Sequence, residues 1–511
     1  MSRKVEELKF RMEKFDLIIL GGGPSGYAAL MRAMDFGKKV CLIEKEKIGG
    51  AGIHNGALSS KTLWELSEKY MTTKDMLHSY GHLAFEPNWK NTISISQEVV
   101  AQRLSQLVHQ ITELAKLDER ALSVRIGSGK MVSKNEVEIT RIGSSEVIWG
   151  DNILIATGSS PRKLKGIEVD EKTIITSDGI SRIKEFPKSM VILGAGVIGC
   201  EFATIFSNFG KTKVFLIDRA DRVLPFEDED ISEIVASSLR TNNVVIHNEA
   251  DFKGMQVVNG QVQYEIQYPK GMTQLIRVEK ALISVGRTPN TENIGLENVG
   301  VELDSSGNIK NTDGQTTIPN IYAAGDVSGH MALVNVGEIE ARHCVERMFS
   351  KDFGSLSYDN LCTIMFLHPE VASVGLNEQG CITQGINAKV VKLEFNQIVR
   401  ALAMQKTQGF FKIIVTDDEE MRILGMRAVG EHASSAIQAV GLLIKMKKGI
   451  HELAELVHPH PSIIEGIQEC VRILLGKSIL RLEAHQKDVQ VYRLIDGQKT
   501  PILGTLHNME H

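Results

Sequence analysis

Phe15-Asp-Leu-Ile-Ile-Leu-Gly21-Gly-Gly23-Pro-Ser-Gly26 and Met190-Val-Ile-Leu-Gly194-Ala-Gly196-Val-Ile-Gly199 are two copies of one pattern. Each is an apolar run that reads as a buried strand, then Gly-x-Gly-x-x-Gly, then small and apolar residues that read as a helix. A second apolar run follows each copy and ends on an acid: Lys39-Val-Cys-Leu-Ile-Glu44 and Lys213-Val-Phe-Leu-Ile-Asp218. The acid lies 18 residues beyond the third glycine in the first copy and 19 in the second. In such a unit the first glycine permits a tight turn, the second lets the backbone approach a pyrophosphate, and the third lets the helix pack on the sheet. The helix N-terminus then presents unpaired N–H groups to the phosphates, and the acid accepts hydrogen bonds from a ribose. One glycine motif alone is weak evidence. Two, each with a strand before and an acid after, predict two Rossmann-like dinucleotide-binding domains in an α/β chain.

Around these copies the composition is ordinary: 511 residues, 42% hydrophobic, 24% charged, 45 glycines. The length suggests about three or four domains, and the composition excludes a disordered, collagen-like or coiled-coil chain. A net charge of −5 without a Lys/Arg block argues against general nucleic-acid binding. The longest apolar run, Met190 to Cys200, has eleven residues and is Gly-rich, short of the about 18 that a membrane span needs. Met1 to Phe15 carries charges of both signs and reads as a short amphipathic helix leading into a strand, not as a secretory signal. The six cysteines (Cys41, Cys200, Cys344, Cys362, Cys381, Cys470) form no C-x-x-C, and the 15 histidines form no H-E-x-x-H. No metal site is expected, and a reducing cytoplasm is the expected compartment. Cys41 and Cys200 fall within the dinucleotide units and read as small core residues.

Further landmarks lie between and beyond the copies. Ser94 to Leu117 has helical periodicity, and Asp151-Asn-Ile-Leu-Ile-Ala-Thr157-Gly158 reads as a buried strand and turn. Lys280-Ala-Leu-Ile-Ser-Val-Gly286-Arg287 closes the second unit, and Ile318 to Asp326 returns to the first sheet. After about residue 355 strand-like runs (Phe410 to Val415, Met421 to Val429) mix with helical ones (Ser435 to Lys447, Ile463 to Leu475), which predicts a separate α+β domain.

These landmarks resemble the two-dinucleotide-binding flavoproteins of the pyridine nucleotide-disulfide oxidoreductase family, above all its dihydrolipoamide dehydrogenase and soluble pyridine nucleotide transhydrogenase branches. The resemblance covers about residues 14 to 478. It implies an FAD-binding domain at residues 1–160, an NAD(P)-binding domain at 161–288 and a return to the FAD domain at 289–354. A C-terminal dimerisation domain at 355–478 makes a homodimer, and residues 479–511 form an extension that covers the interface or is a plain ordered appendage. It also implies that Gly21, Gly23, Gly26, Glu44 and Gly50 contact FAD, with Gly129 (in Gly127-Ser-Gly129-Lys130), Thr157 and Gly158 as further contacts. Asp326 would hold the ribityl chain, with the stretch to Val334 passing under the flavin ring. Gly194, Gly196, Gly199, Asp218 and Gly286 would bind NAD(P)H.

One segment departs from the family. Gly49-Gly50-Ala51-Gly52-Ile53-His54-Asn55-Gly56-Ala57-Leu58-Ser59-Ser60-Lys61 aligns with G-G-T-C-x-N-x-G-C-x-P-S-K, whose cysteines carry electrons from flavin to a disulfide substrate. Gly52 and Ala57 stand at both cysteine positions, and thiol–disulfide exchange needs a thiolate. Reduction of lipoamide, glutathione or mercuric ion by the usual route is thereby excluded. The transhydrogenase branch typically keeps the first cysteine, so this chain departs from it too. His458-Pro-His460-Pro461-Ser-Ile-Ile-Glu465 nevertheless matches H-x-H-P-x-x-x-E, whose second histidine and glutamate form an acid–base pair contributed from the partner subunit.

Lys61 and Glu201 resemble the ion pair beside the flavin's reactive nitrogen, where a cation stabilises negative charge on the reduced ring and a buried carboxylate balances it. The bland reading is a surface lysine and an unrelated helix glutamate. His460 and Glu465 are either a working acid–base pair or an interface histidine that only packs. Asp218 favours a free 2′-hydroxyl and so NADH, whereas Arg219 and Arg222 either pair with a 2′-phosphate or are solvated charge.

The leading reading is hydride transfer between NADPH and NAD through flavin, with NAD(H) and NADP(H) as substrates. The runner-up is an NAD(P)H diaphorase or quinone reductase that keeps His460 for proton delivery. A third is a dehydrogenase-like flavoprotein without catalysis. With no disulfide, anaerobic titration with NADH takes up about two electrons per FAD, and no long-wavelength thiolate-to-flavin band develops. Four electrons per FAD would show that the cysteine segment is misaligned.

Overall fold

The computed structural model describes residues 12–81, 86–118, 121–481 and 484–502. Residues 1–11, most of the stretch read as an amphipathic helix, lie outside them, and Lys14–Leu20 is already strand. That strand is buried along most of its length and is the axis of the first unit. It pairs in parallel with Val40–Glu44 on one side and Ser144–Ile155 on the other. Leu122–Ile126 and Ile321–Ala323 extend the sheet in parallel beyond them. Residues 318–326 thus rejoin the first sheet after the chain has built a second one.

The second unit repeats the arrangement. Ser189–Leu193 pairs in parallel with Lys213–Ile217 and with Lys280–Ile283, flanked by Val245–His247 and Ile174–Ile175. In both sheets the strand that feeds the glycine turn lies between parallel neighbours, which is where a doubly wound sheet places its ligand crevice.

Two long helices, Ala57–Ser79 and Trp89–Leu117, cross from the first unit to the second. The second starts five residues before the periodicity of Ser94 to Leu117 indicates, because Asn88 caps it by accepting from the Asn91 amide at 3.1 Å. Trp89 stacks on Phe206 of the second unit with ring centroids 5.4 Å apart, and its indole N–H donates to Ile183 O. One apolar cluster runs through all three units and includes Leu63, Phe202, Phe206, Met365 and Phe410.

The C-terminal unit is a seven-stranded antiparallel sheet. Its order is Cys362–Met365, Val371–Gly375, Ile423–Val429, Phe410–Thr416, Ala388–Glu394, Val489–Ile495, Gln498–Pro501. Helix Glu465–Leu474 packs on its two middle strands Ala388–Glu394 and Phe410–Thr416. The stretch Ser435 to Lys447 is divided between helices Ala433–Ala436 and Gln438–Lys445. Residues 479–502 do not stand apart from this domain, because their hairpin supplies its last two strands. Alternation in Val489-Gln-Val-Tyr-Arg-Leu-Ile and the pair Asp496-Gly497, at φ 47° and 78°, give that hairpin a mirror-image two-residue turn.

Strand Phe410–Thr416 is buried on both faces, and its Lys412 is 0% exposed. A cation there must be paired. Its Nζ meets Asp228 Oδ2 at 2.7 Å, Asp230 Oδ1 at 2.8 Å and Glu378 Oε1 at 2.9 Å. Burial alone would lower the Lys412 pKa, but the three carboxylates outweigh it and hold the pKa above the usual lysine range. Burial would likewise raise Glu378; the Lys412 charge and hydrogen bonds from Lys499 and Tyr492 outweigh it and hold Glu378 at about 2. A carboxyl depressed on folding stabilises the protein above its unfolded value, and that contribution is lost as pH falls toward the folded one. Glu378→Gln should therefore destabilise the protein at pH 7 by about 2–3 kcal/mol. The gap to wild type should close as pH falls below 4.5 toward 2. A gap in chemical unfolding that stays constant down to the lower limit would show that Glu378 is not ionised in the cluster.

Candidate active-site cleft

The two glycine turns repeat one geometry. Gly21 has φ 105°, and a Cβ there would lie 2.4 Å from Ala156 O; Gly194 has φ 104°, and a Cβ would lie 2.5 Å from Ser284 O. At the third glycines, Gly26 and Gly199, a Cβ would fall 1.8 and 1.9 Å from the carbonyl oxygens of Gly21 and Gly194. At the second glycines, Gly23 and Gly196, a Cβ would meet nothing within 4 Å. The first and third positions are closed by backbone, and the second opens onto free space. Gly23 and Gly196 are also the N-caps of Pro24–Asp35 and Val197–Phe209, and neither helix has a capping side chain. Each leaves first-turn N–H groups available to an anion.

In front of the first turn a continuous cleft of about 2550 Å³ runs between the three units. Gly21, Gly23, Glu44, Gly50, Lys61 and Gly129 line it, as do Thr157, Gly158, Glu201, Asp326 and Val334. Gly26 lies behind it, on the face of helix Pro24–Asp35 that packs against Gly21. Gly194, Gly196, Gly199, Asp218 and Gly286 lie outside this cleft at the second turn, whereas Val197, Ile198 and Phe226 of the second unit reach its wall. Gly50, at φ 50°, brings the Gly49–Lys61 segment against the first turn: a Cβ on it would lie 3.0 Å from Gly23 Cα.

The Glu44 carboxylate accepts from the amides of Gly22 and Glu46, each at 2.7 Å, and of Lys47 at 3.2 Å. Asp218 accepts from Ala195 N at 2.6 Å and Ala220 N at 2.9 Å. Both acids are thus fixed at the end of the second strand of their unit, with lone pairs left for hydroxyl donors. Open second glycines, uncapped helix starts and these acids form two sites that fit the pyrophosphate and ribose of a dinucleotide.

Glu201 is 4% exposed and faces Lys61, whose Nζ lies 2.8 Å from Oε2 and 3.1 Å from Oε1. The Phe366 amide donates to Oε1 at 3.1 Å, and the Phe366 ring lies 5.0 Å from the ammonium. Asp326 accepts from the Ser159 hydroxyl and lies 3.8 Å from Arg287 Nε, while Arg287 also donates to Ser159 O at 2.6 Å. Thr157 and Asn290 exchange side-chain-to-carbonyl hydrogen bonds of 2.7 and 2.9 Å. The contributions of Phe366, Ser159, Arg287 and Asn290 to these contacts were not foreseen from sequence. Phe366, Ser159 and Asn290 each lie more than a hundred residues from the partner they meet, and Arg287 lies 128 residues from Ser159.

At Gly52 a Cβ would fall 2.5 Å from Pro24 Cγ and 3.5 Å from Val334 Cγ2. A side chain at this position would require the Pro24 ring to shift, and the position carries no thiol. Five of the six cysteines are buried; half-buried Cys362 is the one that lines the cleft, its thiol pKa raised by burial, and no second cysteine lines the cleft to pair with it. For Cys41 burial pushes the thiol pKa to about 12.

Arg222 Nη2 donates to Pro225 O and Glu227 O at 3.2 and 3.4 Å, while its buried Nε has no hydrogen-bond partner among the described residues, and exposed Arg219 lies beside Asp218. His460 and Glu465 sit apart from the cleft on the C-terminal unit, joined Nδ1 to Oε1 at 2.8 Å. The Ser462 amide holds the other carboxylate oxygen at 2.7 Å. Burial would raise the Glu465 pKa, but that amide and His460 outweigh it and lower it.

Residues 15–341 match the model of the pyridine nucleotide-disulphide oxidoreductases, and residues 361–471 match that family's dimerisation domain. A dihydrolipoyl dehydrogenase of Bacillus subtilis is 33% identical over 481 residues, covering 91% of this chain and 99% of that protein. Leghemoglobin reductase of Glycine max is 30% identical over 468 residues, covering 90% and 88%. The Cu(II) complex of the HOCl-induced flavoprotein disulfide reductase RclA of Escherichia coli superposes with a TM-score of 0.80 at 26% identity, over 91% of this chain and 100% of that one. Among the described residues no helix is long and apolar enough to cross a membrane. Two like glycine turns, the cleft between the three units and these likenesses agree: the chain belongs to the pyridine nucleotide-disulphide oxidoreductase family of FAD-dependent enzymes that use NAD(P)H.

Proposed function

We propose that this protein is an FAD-dependent NAD(P)H oxidoreductase that works without a redox disulfide, moving hydride from NADPH to NAD. The observation that carries the reading is the contrast between two neighbouring features. Gly52 and Ala57 replace both cysteines, yet Lys61 and Glu201 keep a 2.8 Å ion pair at the wall of the cleft. A chain that had lost all chemistry would have no use for a buried carboxylate opposite an ammonium, since such a pair adds little stability over apolar packing.

FAD, when bound, supplies a two-electron carrier that accepts a hydride from one nucleotide and gives it to another. Glu44, Thr157 and Asp326 would orient it along the cleft, and the Lys61 ammonium would place positive charge where negative charge develops. Glu201, gripped by the Phe366 amide, fixes the ammonium in place. Asp218 would accept the 2′-hydroxyl of NADH, and Arg219 and Arg222 are the cations that would meet a 2′-phosphate. The overall exchange, NADPH plus NAD⁺ to NADP⁺ plus NADH, moves one hydride and releases no proton. It therefore asks nothing of a thiol or of His460.

The intact His460–Glu465 pair supports a second reading, quinone reduction in a homodimer. There NADH supplies hydride, and the second proton of the quinol comes from His460, oriented by Glu465 on the partner's side.

A panel assay with purified enzyme separates the readings. NADPH-dependent reduction of thionicotinamide NAD should follow ping-pong kinetics, with no lipoamide turnover. Lys61→Ala should slow NADPH oxidation about 10²-fold, roughly 3 kcal/mol, and His460→Ala should leave it nearly unchanged. Asp218→Ala should weaken NADH relative to NADPH by about 1–3 kcal/mol. Rapid quinone turnover that His460→Ala cuts about 10²-fold or more, with negligible thionicotinamide reduction, would replace the first reading with the second.

A further inference from the structure

The geometry points to the C-terminal hairpin, Val489–Ile495 and Gln498–Pro501, as a positioning element for the second glycine turn, acting through the ion cluster at Lys412. It rests on the reading of that turn as the nicotinamide-nucleotide site. Tyr492 Oη donates to Glu378 Oε1 at 2.6 Å, and Lys499 Nζ meets Glu378 Oε2 at 2.5 Å. Glu378 so held is one of the three carboxylates on Lys412, and the other two, Asp228 and Asp230, begin helix Glu229–Thr241 of the second unit. The C-terminal unit grips the preceding loop as well. Arg427 Nε meets Glu227 Oε2 at 2.8 Å, both nearly buried, and Asn377 donates to Phe226 O at 3.1 Å.

The other end of this loop touches the nucleotide turn. Leu224 sits at φ 48°, a conformation that a branched side chain adopts only when its surroundings impose it. Its N–H donates to Ala195 O at 2.9 Å, and its carbonyl accepts from Ser232 Oγ at 3.3 Å. Ala195 is the residue between Gly194 and Gly196, and its own N–H is held by Asp218 at 2.6 Å. One chain of contacts thus runs from Tyr492 and Lys499 through Glu378, Lys412, Asp228 and Ser232 to Leu224, Ala195 and Asp218. Tyr492 and Lys499 touch nothing in the first glycine turn, so the effect should fall on the nicotinamide nucleotide and spare FAD.

The test uses the full chain with FAD. Tyr492→Phe/Lys499→Met removes the two contacts to Glu378. Lys499→Met alone, on a side chain 57% exposed, is the milder form that keeps the fold. Arg493→Ala is the control, on the same hairpin but paired with Asp417. Amide hydrogen exchange over residues 219–228, measured without nucleotide, should quicken in the double variant and less so in Lys499→Met. NAD⁺ binding by calorimetry should weaken about three- to tenfold, with FAD content and kcat within about twofold of wild type and Arg493→Ala indistinguishable from it. Unchanged exchange over 219–228, equal loosening in Arg493→Ala, or loss of FAD along with nucleotide affinity would overturn the proposal. If wild type binds no nicotinamide nucleotide while exchange still responds, the coupling stands and the reading of the second turn fails.

Discussion

Glu201 is a carboxylate almost wholly withdrawn from water, and it joins three segments distant in sequence. Lys61 comes from the first unit, Glu201 itself from the glycine-turn helix of the second, and the Phe366 amide from the C-terminal sheet. A buried anion left with fewer partners is strongly unfavourable, so the three units must keep their mutual placement for this one charge to be tolerated. The apolar cluster containing Leu63, Phe202 and Met365 surrounds the same junction. Packing and electrostatics therefore fix one arrangement, and the cleft is the space that this arrangement leaves open.

How much of this could be read beforehand depends on how local the cause is. Each glycine turn is a strand, a turn and a helix start within about a dozen contiguous residues, so its steric logic is written in the chain itself. Lys61 and Glu201 were found because each lies at a fixed distance from a glycine motif. Phe366 and Asn290 act on residues more than a hundred positions away, and nothing near them in sequence marks the role. Lys412 was invisible for a related reason, since Phe-Phe-Lys-Ile-Ile-Val reads as an ordinary strand until its three acids are brought up to it. The hairpin at the C-terminus is different. Its alternation and its Asp496-Gly497 pair were present in the sequence and are a known hairpin signal. The solitary position of this segment beyond the family's usual end concealed it.

The cysteine segment shows how the site changed with its chemistry. With glycine at position 52 the backbone rests against Pro24, within the distance at which a side chain would collide. The packing at Gly52 is close, while the two glycine turns, the amide contacts of Glu44 and Asp218 and the Lys61–Glu201 pair are all formed. Under the proposed function, electrons would pass directly between a bound flavin and whatever enters the cleft.

That account is tested most directly by an arsenical that traps paired thiols, added after NADH under anaerobic conditions. A working disulfide would be opened by NADH and captured. The account predicts that turnover with the best acceptor is undiminished, with or without NADH pretreatment. Inactivation that appears only after NADH would contradict it, because it would reveal a reducible thiol pair in the catalytic path.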